Sequence, residues 1–278
     1  MSYGSEPTIW SGAYAAHPAR HGPAGRRAVQ EDNVNETFRG QVLLADRSVS
    51  GAILKDLDPR QLANELLVSV LAQRAGLPTP DTYLALVRGA DLPVVHGPSL
   101  PDGNRLVFAS VDVKVPNITF RARGATAEEQ QRLVEEILEW AGLGGLYGFD
   151  AWVANVDRHP GNLLFGGKEQ VWLIDHGHCL SGPTWAPDDL KEDGDYRNRL
   201  TEWLTSRMNL DQKKKRSAEA NKLATGLSLI DVDDAAAASH VRALLPPAHV
   251  AAATSFLKGR MDKVPRHASK ALGVPLML

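Results

Sequence analysis

The chain has 278 residues, of which 43% are hydrophobic and 23% charged, a composition typical of a folded globular protein with one large domain or two smaller lobes. Its formal net charge of -2 argues against a dedicated nucleic-acid-binding protein, and its one cysteine, Cys179, excludes an internal disulfide and a cysteine-rich zinc module. The sequence contains neither a signal-peptide core nor an apolar run of about 20 residues, so we expect a soluble cytoplasmic protein without a membrane anchor.

The first 112 residues are predicted to be rich in β-structure. Residues 1–40 contain many Gly, Pro and His residues without periodicity, and we expect them to be irregular. The apolar runs 41–45 and 51–57 flank a polar turn and predict a hairpin. The segments TYLALV (82–87) and RLVFASVDV (105–113) predict two further strands.

A helix is predicted between the hairpin and the third strand, in DPRQLANELLVSVLAQRAG. Asp58 is a good N-cap, Pro59 suits the first helical position, and Gly76 ends the helix. One side of this helix carries apolar residues: Leu62, Leu66, Val70 and Leu71.

The rest of the chain is predicted to be mainly helical. Thr126 and Glu129 form a capping box before QQRLVEEILEW, and LYGFDAWVAN predicts another helix. NLLF and QVWLID predict a tight pair of strands, and helical patterns follow, beginning with DDLKEDGDYRNRLTEWLTSRM. We therefore predict an α+β fold with a sheet-rich first domain (1–112) that includes the helix after the hairpin, and a mainly helical second domain (113–278).

Three groups of residues supply what phosphoryl transfer from ATP requires. Asp157, in NVDRHPGNLLF, is followed five residues later by Asn162, and Asp175 ends the strand LID thirteen residues after that. Lys55 lies on a predicted strand, and Glu65 lies on the helix that follows it. Such chemistry needs a carboxylate for the substrate hydroxyl, oxygen ligands for Mg²⁺, and a fixed cation on the phosphates with a partner acid.

These motifs resemble those of a known family. DRHPGN…IDHG keeps the order and the Asp-to-Asn spacing of the protein-kinase catalytic loop and Asp-x-Gly motif, but His159 follows Asp157 instead of preceding it. Asp-Arg-His with a nearby Asn, then Ile-Asp-His-Gly, resembles the phosphatidylinositol-kinase-like branch and especially the bacterial HipA-like kinases. ANELLVSVLAQRAGLPTP is similar to the segment that those proteins carry after the lysine strand. The resemblance covers roughly half of the chain.

The resemblance implies a bilobal protein-kinase-like fold and a role for each motif residue. Asp157 would be the catalytic base, and Asn162 and Asp175 would hold Mg²⁺. Lys55 would contact the ATP phosphates, and Glu65 would orient Lys55.

The resemblance also implies residues that shape the nucleotide site. Leu164 and Ile174 would line the nucleotide pocket, the backbone of residues 108–112 would face the adenine edge, and Arg158 and His159 would brace the loop. Two features depart from the family: no clean Gly-rich loop precedes Lys55, and the chain is shorter than the HipA toxins. An antitoxin-like partner is therefore not carried over.

The expected function is ATP- and Mg²⁺-dependent phosphate transfer to a hydroxyl, most simply that of Ser or Thr in a protein substrate. A nucleotide-binding pseudokinase is an alternative because of the missing Gly-rich loop, and a lipid or small-molecule kinase is another because the Asp-Arg-His pattern is shared with that branch. A zinc or di-metal hydrolase is a third alternative. Its ligands would be drawn from Asp157, His159, Asp175, His176, His178 and Cys179.

Overall fold

The computed structural model describes the backbone of residues 14–18 and the whole of residues 37–88 and 91–276. Most of the segment predicted to be irregular, 1–40, lies outside the described residues. Its described parts, 14–18 and 37–40, are in strands, so the prediction is wrong there. Backbone contacts divide the chain into two compact units, residues 1–58 with 81–112 and residues 59–80 with 113–278. One unit contains a sheet and the other is mainly helical, so the predicted α+β class is confirmed.

The first unit is built on an antiparallel sheet with the strand order β1-β2-β3-β5-β4. Its strands are β1 (Tyr14–Pro18), β2 (Thr37–Leu43), β3 (Val49–Lys55), β4 (Thr82–Val87) and β5 (Arg105–Val111). The predicted hairpin is confirmed as β2 and β3, and the two other predicted strands are β4 and β5. Because side chains alternate along a strand, Leu54 enters the core while Lys55 lies on the other face, with Nζ 5.6 Å from the centre of the Phe108 ring.

A buried carboxylate fixes the chain directly after β3. Asp56 is fully buried, and its Oδ2 accepts a hydrogen bond from the backbone N–H of Val95 at 2.7 Å. Its Oδ1 accepts one from the N–H of Gly97 at 2.7 Å, and the N–H of His96 lies 3.0 and 3.1 Å from the two oxygens. Three loop N–H groups therefore depend on one side chain, next to Lys55.

Replacing Asp56 with asparagine is expected to destabilise this unit by about 3 kcal/mol, because an amide can accept on one side only and leaves buried N–H donors unpaired. Denaturant unfolding followed by far-ultraviolet circular dichroism measures the loss. Asp102→Asn, which changes a carboxylate bonded to the N–H of Asn104 in an exposed turn, is the control. The prediction is wrong if the two variants unfold at the same denaturant concentration.

The second unit is mainly helical, with one hairpin of β6 (Leu163–Gly167) and β7 (Gln170–Leu173). Its helices are α1 (Pro59–Arg74), α2 (Ile118–Ala122), α3 (Ala127–Glu139), α4 (Leu143–Trp152), α5 (Arg199–Thr205), α6 (Leu210–Leu227), α7 (Val232–Ala238), α8 (Val241–Leu244), α9 (Pro247–Arg260) and α10 (Val264–Leu272). The predicted capping box of α3 and the predicted strand pair are confirmed. Among the described residues, none of the helices has the length and apolarity that a bilayer crossing requires.

Helix α1 has the predicted start at Pro59 and is followed by Gly76 at φ +71°. It belongs to the second unit, although its position in the sequence predicts it in the first domain. The buried amide of Asn64 shows why. Its nitrogen donates to the carbonyls of Gly177 and Cys179 at 2.8 and 3.1 Å, and its oxygen accepts from the indole of Trp185 at 3.0 Å. Because a buried amide must satisfy its hydrogen bonds, α1 is fixed to this unit.

Close packing of α4 on α6 depends on a glycine. A Cβ atom on Gly144 would lie 2.3 Å from Cβ of Glu219 and 2.8 Å from the carbonyl oxygen of Arg216. Glycine is unfavourable inside a helix, yet Gly144 and Gly145 both lie inside α4. Because glycine has no side chain, the amino end of α4 can approach α6 this closely.

The segment from 188 to 198 is predicted to be helical and is not, apart from a short 3-10 turn at Pro187–Asp189. The buried guanidinium of Arg260 donates to the carbonyls of Glu192 and Gly194 at 2.7 and 3.0 Å. These carbonyls are therefore engaged by a distant side chain instead of by a helical backbone. A regular helix starts only at Arg199.

Candidate active site

The loop between α4 and β6 is closed by its own side chains. His159 precedes the 3-10 turn Pro160–Asn162, and its Nδ1 accepts a hydrogen bond from the N–H of Gly161 at 3.1 Å. The buried Asn162 donates from Nδ2 to the carbonyl of Asp157 at 3.1 Å. Because the amide nitrogen is used inside the loop, the amide oxygen is the atom of Asn162 that suits a cation.

A fully buried arginine ties this loop to the strand that precedes Asp175. Arg158 donates from Nη1 to the carbonyl of Ile174 at 2.7 Å, and from Nη2 to the carboxylate of Asp150 on α4 at 3.0 Å. The N–H of Ile174 also bonds to the carbonyl of Asn162 at 3.2 Å. The prediction that Arg158 braces the loop is therefore confirmed, and Asp150 is its counterion.

The charges of the loop follow from burial and from this ion pair. Burial alone would lower the pKa of Arg158, but Asp150 outweighs burial and raises that pKa, so the guanidinium stays charged. Burial lowers the pKa of His159, although the carboxylates of Asp157 and Asp175 oppose the shift. His159 is therefore neutral at pH 7, as its role as an acceptor for the Gly161 N–H requires.

Asp175 lies directly before a turn at residues 176–179, and residues 175–179 together are called the Asp175 turn. The φ of Asp175 is +62°, a left-handed conformation that aspartate adopts more readily than most residues. The next residue, His176, donates its N–H to the buried carboxylate of Glu65 at 2.7 Å. Glu65 thus connects α1 to the Asp175 turn. Lys55 lies in the first unit, and its pairing with Glu65 stays a prediction.

The carboxylate of Asp157 has two cationic or polar neighbours that the motifs did not indicate. Its Oδ1 accepts a hydrogen bond from Nη2 of Arg199 at 3.1 Å, and its Oδ2 lies 3.4 Å from Nδ1 of His178. The side chain of Asp157 is 35% exposed. A partly exposed carboxylate on a rigid loop can reach a bound hydroxyl.

Two further residues that sequence reasoning missed fix the start of α5 on this loop. Asn198 is the N-cap of α5, and its Nδ2 donates to Asp150 Oδ2 at 3.2 Å and to the carbonyl of Asn155 at 3.3 Å. The sequence does indicate a special role for Asp150, because it is the one charged residue in the otherwise mostly apolar run LYGFDAWVAN. Nothing in the sequence around Asn198 indicates its role, because its partners Asn155 and Asp150 are 43 and 48 positions away.

Leu164 and Ile174, the two residues predicted to line a nucleotide pocket, both lie near Asn162. Leu164 pairs with Trp172 in the hairpin, and Ile174 binds the Asn162 carbonyl. Both side chains are half-buried, whereas the adjacent Leu163 and Leu173 are fully buried. Apolar side chains that point away from a core suit contact with a ligand, and their role stays a prediction.

The alternative of a zinc or di-metal site gains no support from the geometry. Across residues 37–88 and 91–276, no group of three or more His, Cys, Asp or Glu side chains could hold a metal ion. Cys179 is buried, and burial raises the pKa of its thiol. The His176 ring contacts Arg158 and the edge of Phe149 instead.

Purified protein dialysed against a chelator is therefore expected to retain no stoichiometric zinc, as measured by inductively coupled plasma mass spectrometry. Full occupancy of one zinc ion per chain would contradict this prediction.

Comparisons with known proteins identify the family and the fold of the chain. Residues 53–224 match the model of the HipA-like kinase family, and the chain belongs to this family. Among solved structures, the proinflammatory kinase CtkA of Helicobacter pylori is similar, with a TM-score of 0.51 and 13% sequence identity, over 84% of this chain and 94% of that one. This likeness confirms the predicted protein-kinase-like fold. No curated protein sequence matches the chain.

Proposed function

We propose that this kinase transfers the γ-phosphate of ATP to the hydroxyl of a serine or threonine in a protein substrate, in a reaction that depends on Mg²⁺. The observation that carries the proposal is the closed loop in which Asn162 is bonded to Asp157, while Arg158 ties the loop to the strand before Asp175. Catalysis of phosphoryl transfer consists mainly of positioning and electrostatic stabilisation, and this loop is rigidly positioned.

Asn162 and Asp175 have the donor atoms that suit a magnesium ion. The amide nitrogen of Asn162 is bonded inside the loop, so that its oxygen is the available ligand, and Asp175 supplies a carboxylate. Mg²⁺ takes hard oxygen ligands, one or two of them carboxylates, and completes its coordination with water and phosphate. When bound, Mg²⁺ neutralises part of the phosphate charge. Helix α1 supports this site because Glu65 holds the backbone after Asp175.

In the proposed reaction, the chain's own residues hold the reactants and move one proton. Asp157 orients the acceptor hydroxyl and accepts its proton, while Lys55 contacts the ATP phosphates. Leu164 and Ile174 contact the nucleotide. Glu65 is proposed to orient Lys55 in addition to its bond with the His176 N–H.

A protein acceptor in the cytoplasm is favoured over a lipid, because nothing in the sequence resembles a membrane anchor, and no direct contact with nucleic acid is proposed. An antitoxin-like partner has no support in the described residues. The set of Asp157, Asn162 and Asp175 is complete, which argues against a pseudokinase.

Transfer from γ-labelled ATP to mixed peptide acceptors, with nucleotide binding measured in parallel, tests the proposal. Wild-type protein is expected to transfer label only when Mg²⁺ is present. Asp175→Asn removes one ligand charge and is expected to raise the Mg²⁺ concentration needed for half-maximal rate about tenfold, a change of roughly 1.4 kcal/mol. ATP binding without transfer to any acceptor, including the protein itself, would identify a pseudokinase and contradict the proposal.

A further inference from the structure

An exposed arginine lies beside the proposed catalytic carboxylate. The Arg199 side chain is 75% exposed and binds Asp157 through one guanidinium nitrogen, at 3.1 Å from Oδ1. A guanidinium has five N–H donors, and within residues 37–88 and 91–276 no other partner of this one is found. A hydroxyl that reaches Oδ1 of Asp157 must therefore pass within a few ångströms of donors that are open to solvent.

The backbone of Arg199 is fixed although its side chain is exposed. The preceding residue, Asn198, is bonded to Asp150 and to the carbonyl of Asn155. The following residue, Leu200, donates its N–H to the carbonyl of Arg158 at 2.9 Å. The Cα of Arg199 is thus anchored beside the loop, while its exposed side chain can turn from Asp157 toward a bound substrate.

Three acidic residues of the preceding segment pair with cations of the C-terminal helical region. Lys263 lies 2.8 Å from Glu192, and Arg266 lies 2.7 Å from Asp193. Lys270 lies 2.8 Å from Asp195. These three acids have cations of their own, so within residues 37–88 and 91–276 the carboxylate that pairs with Arg199 is that of Asp157. Arg199 can therefore exchange this partner for a carboxylate of the acceptor.

We propose that Arg199 is a specificity-determining residue whose guanidinium binds a carboxylate side chain next to the acceptor hydroxyl, so that the preferred substrate is an acidic peptide. The inference rests on the proposed function, because it takes Asp157 as the base. A cation attracts a neighbouring glutamate or aspartate and repels a lysine or arginine, so that partner choice follows charge complementarity. Binding the acceptor's carboxylate would also release Oδ1 of Asp157 from Arg199.

Two synthetic peptide pools test this proposal. Both have a central serine or threonine, and they differ only in carrying glutamate or lysine at the flanking positions. Wild-type protein is expected to favour the glutamate pool about tenfold in kcat/KM. Arg199→Ala is expected to abolish the preference by raising KM for the glutamate pool, and Arg199→Glu to reverse it. Arg199→Lys keeps the charge and is expected to keep the preference. Arg207→Ala, at an exposed position after the same helix, is the control.

The outcomes separate this inference from the proposed function. An equal loss of kcat on both pools in Arg199→Ala would mean that Arg199 only holds Asp157, and would overturn the inference while leaving the kinase reaction intact. A wild-type preference for the lysine pool, or none, would also overturn it. Wild-type protein that transfers phosphate to neither pool and not to itself would contradict the proposed function, and this inference with it.

Discussion

Replacing Asp157 with asparagine is expected to lower kcat for phosphotransfer by about a thousandfold, within the range that positioned general bases contribute. The amide has the shape of the carboxylate but cannot take the proton of the acceptor hydroxyl. Its carbonyl oxygen can still accept the hydrogen bond of Arg199, which lies 3.1 Å from Oδ1 in the wild-type protein, so the loop should keep its conformation. Single-turnover transfer from γ-labelled ATP measures the effect.

Nucleotide affinity separates a chemical role of Asp157 from a structural one. Titration calorimetry with a non-hydrolysable ATP analogue is expected to give the same dissociation constant for wild-type protein and Asp157→Asn. Asp188→Asn, at an exposed position outside the loop, is the matched control and should keep full activity. Asp157→Asn with more than a tenth of the wild-type rate would show that Asp157 is not the base.

The part of the candidate site that the sequence predicts is formed by residues that lie close together in the chain. Asp157 and Asn162 lie in one loop closed by hydrogen bonds between residues two and five positions apart. Proline favours such a turn because its φ is fixed, and glycine favours it because it has no Cβ atom, so neighbouring residues are enough to predict a turn here. Strand alternation likewise places Lys55 on the face opposite Leu54 without knowledge of the rest of the chain.

The part that the sequence does not predict depends on contacts between distant residues. Arg199 lies 42 positions from Asp157, and Glu65 lies 111 positions from His176. The absence of a helix at 188–198 has the same origin, because Arg260 engages carbonyls 66 and 68 positions away. Local propensity cannot anticipate a buried guanidinium that competes for backbone carbonyls, so tertiary structure overrides the helical pattern there.

The assignment of α1 to the second unit has a similar cause. Its sequence follows the lysine strand directly, which favours grouping it with the sheet. The hydrogen bonds of Asn64 and Glu65, however, go to the backbone of residues 176–182. The helix therefore belongs with the Asp175 turn, and a change in its position would act on that turn first.

Replacing Asp150 with asparagine is expected to destabilise the second unit by about 3–5 kcal/mol, the cost of leaving a buried charge without its counterion. The Arg158 and Asp150 side chains are 0% and 2% exposed, so water cannot replace the lost carboxylate. Five of the six tryptophans lie in residues 140–203. Denaturant unfolding followed by tryptophan fluorescence therefore reports on this unit.

A matched change at an exposed pair determines whether burial is the cause. Asp233→Asn removes the partner of Lys258 in an ion pair whose side chains are 54% and 49% exposed, with the charged atoms 2.5 Å apart. Exposed pairs contribute about 0–1 kcal/mol, so this variant should unfold almost like the wild-type protein. Equal stability of the two variants would mean that hydrogen bonds to the carbonyls of Asn162 and Ile174 are enough to stabilise the buried Arg158 guanidinium without Asp150. The larger loss in Asp150→Asn would instead show that the stability of this unit depends on the carboxylate that α4 supplies to the buried Arg158.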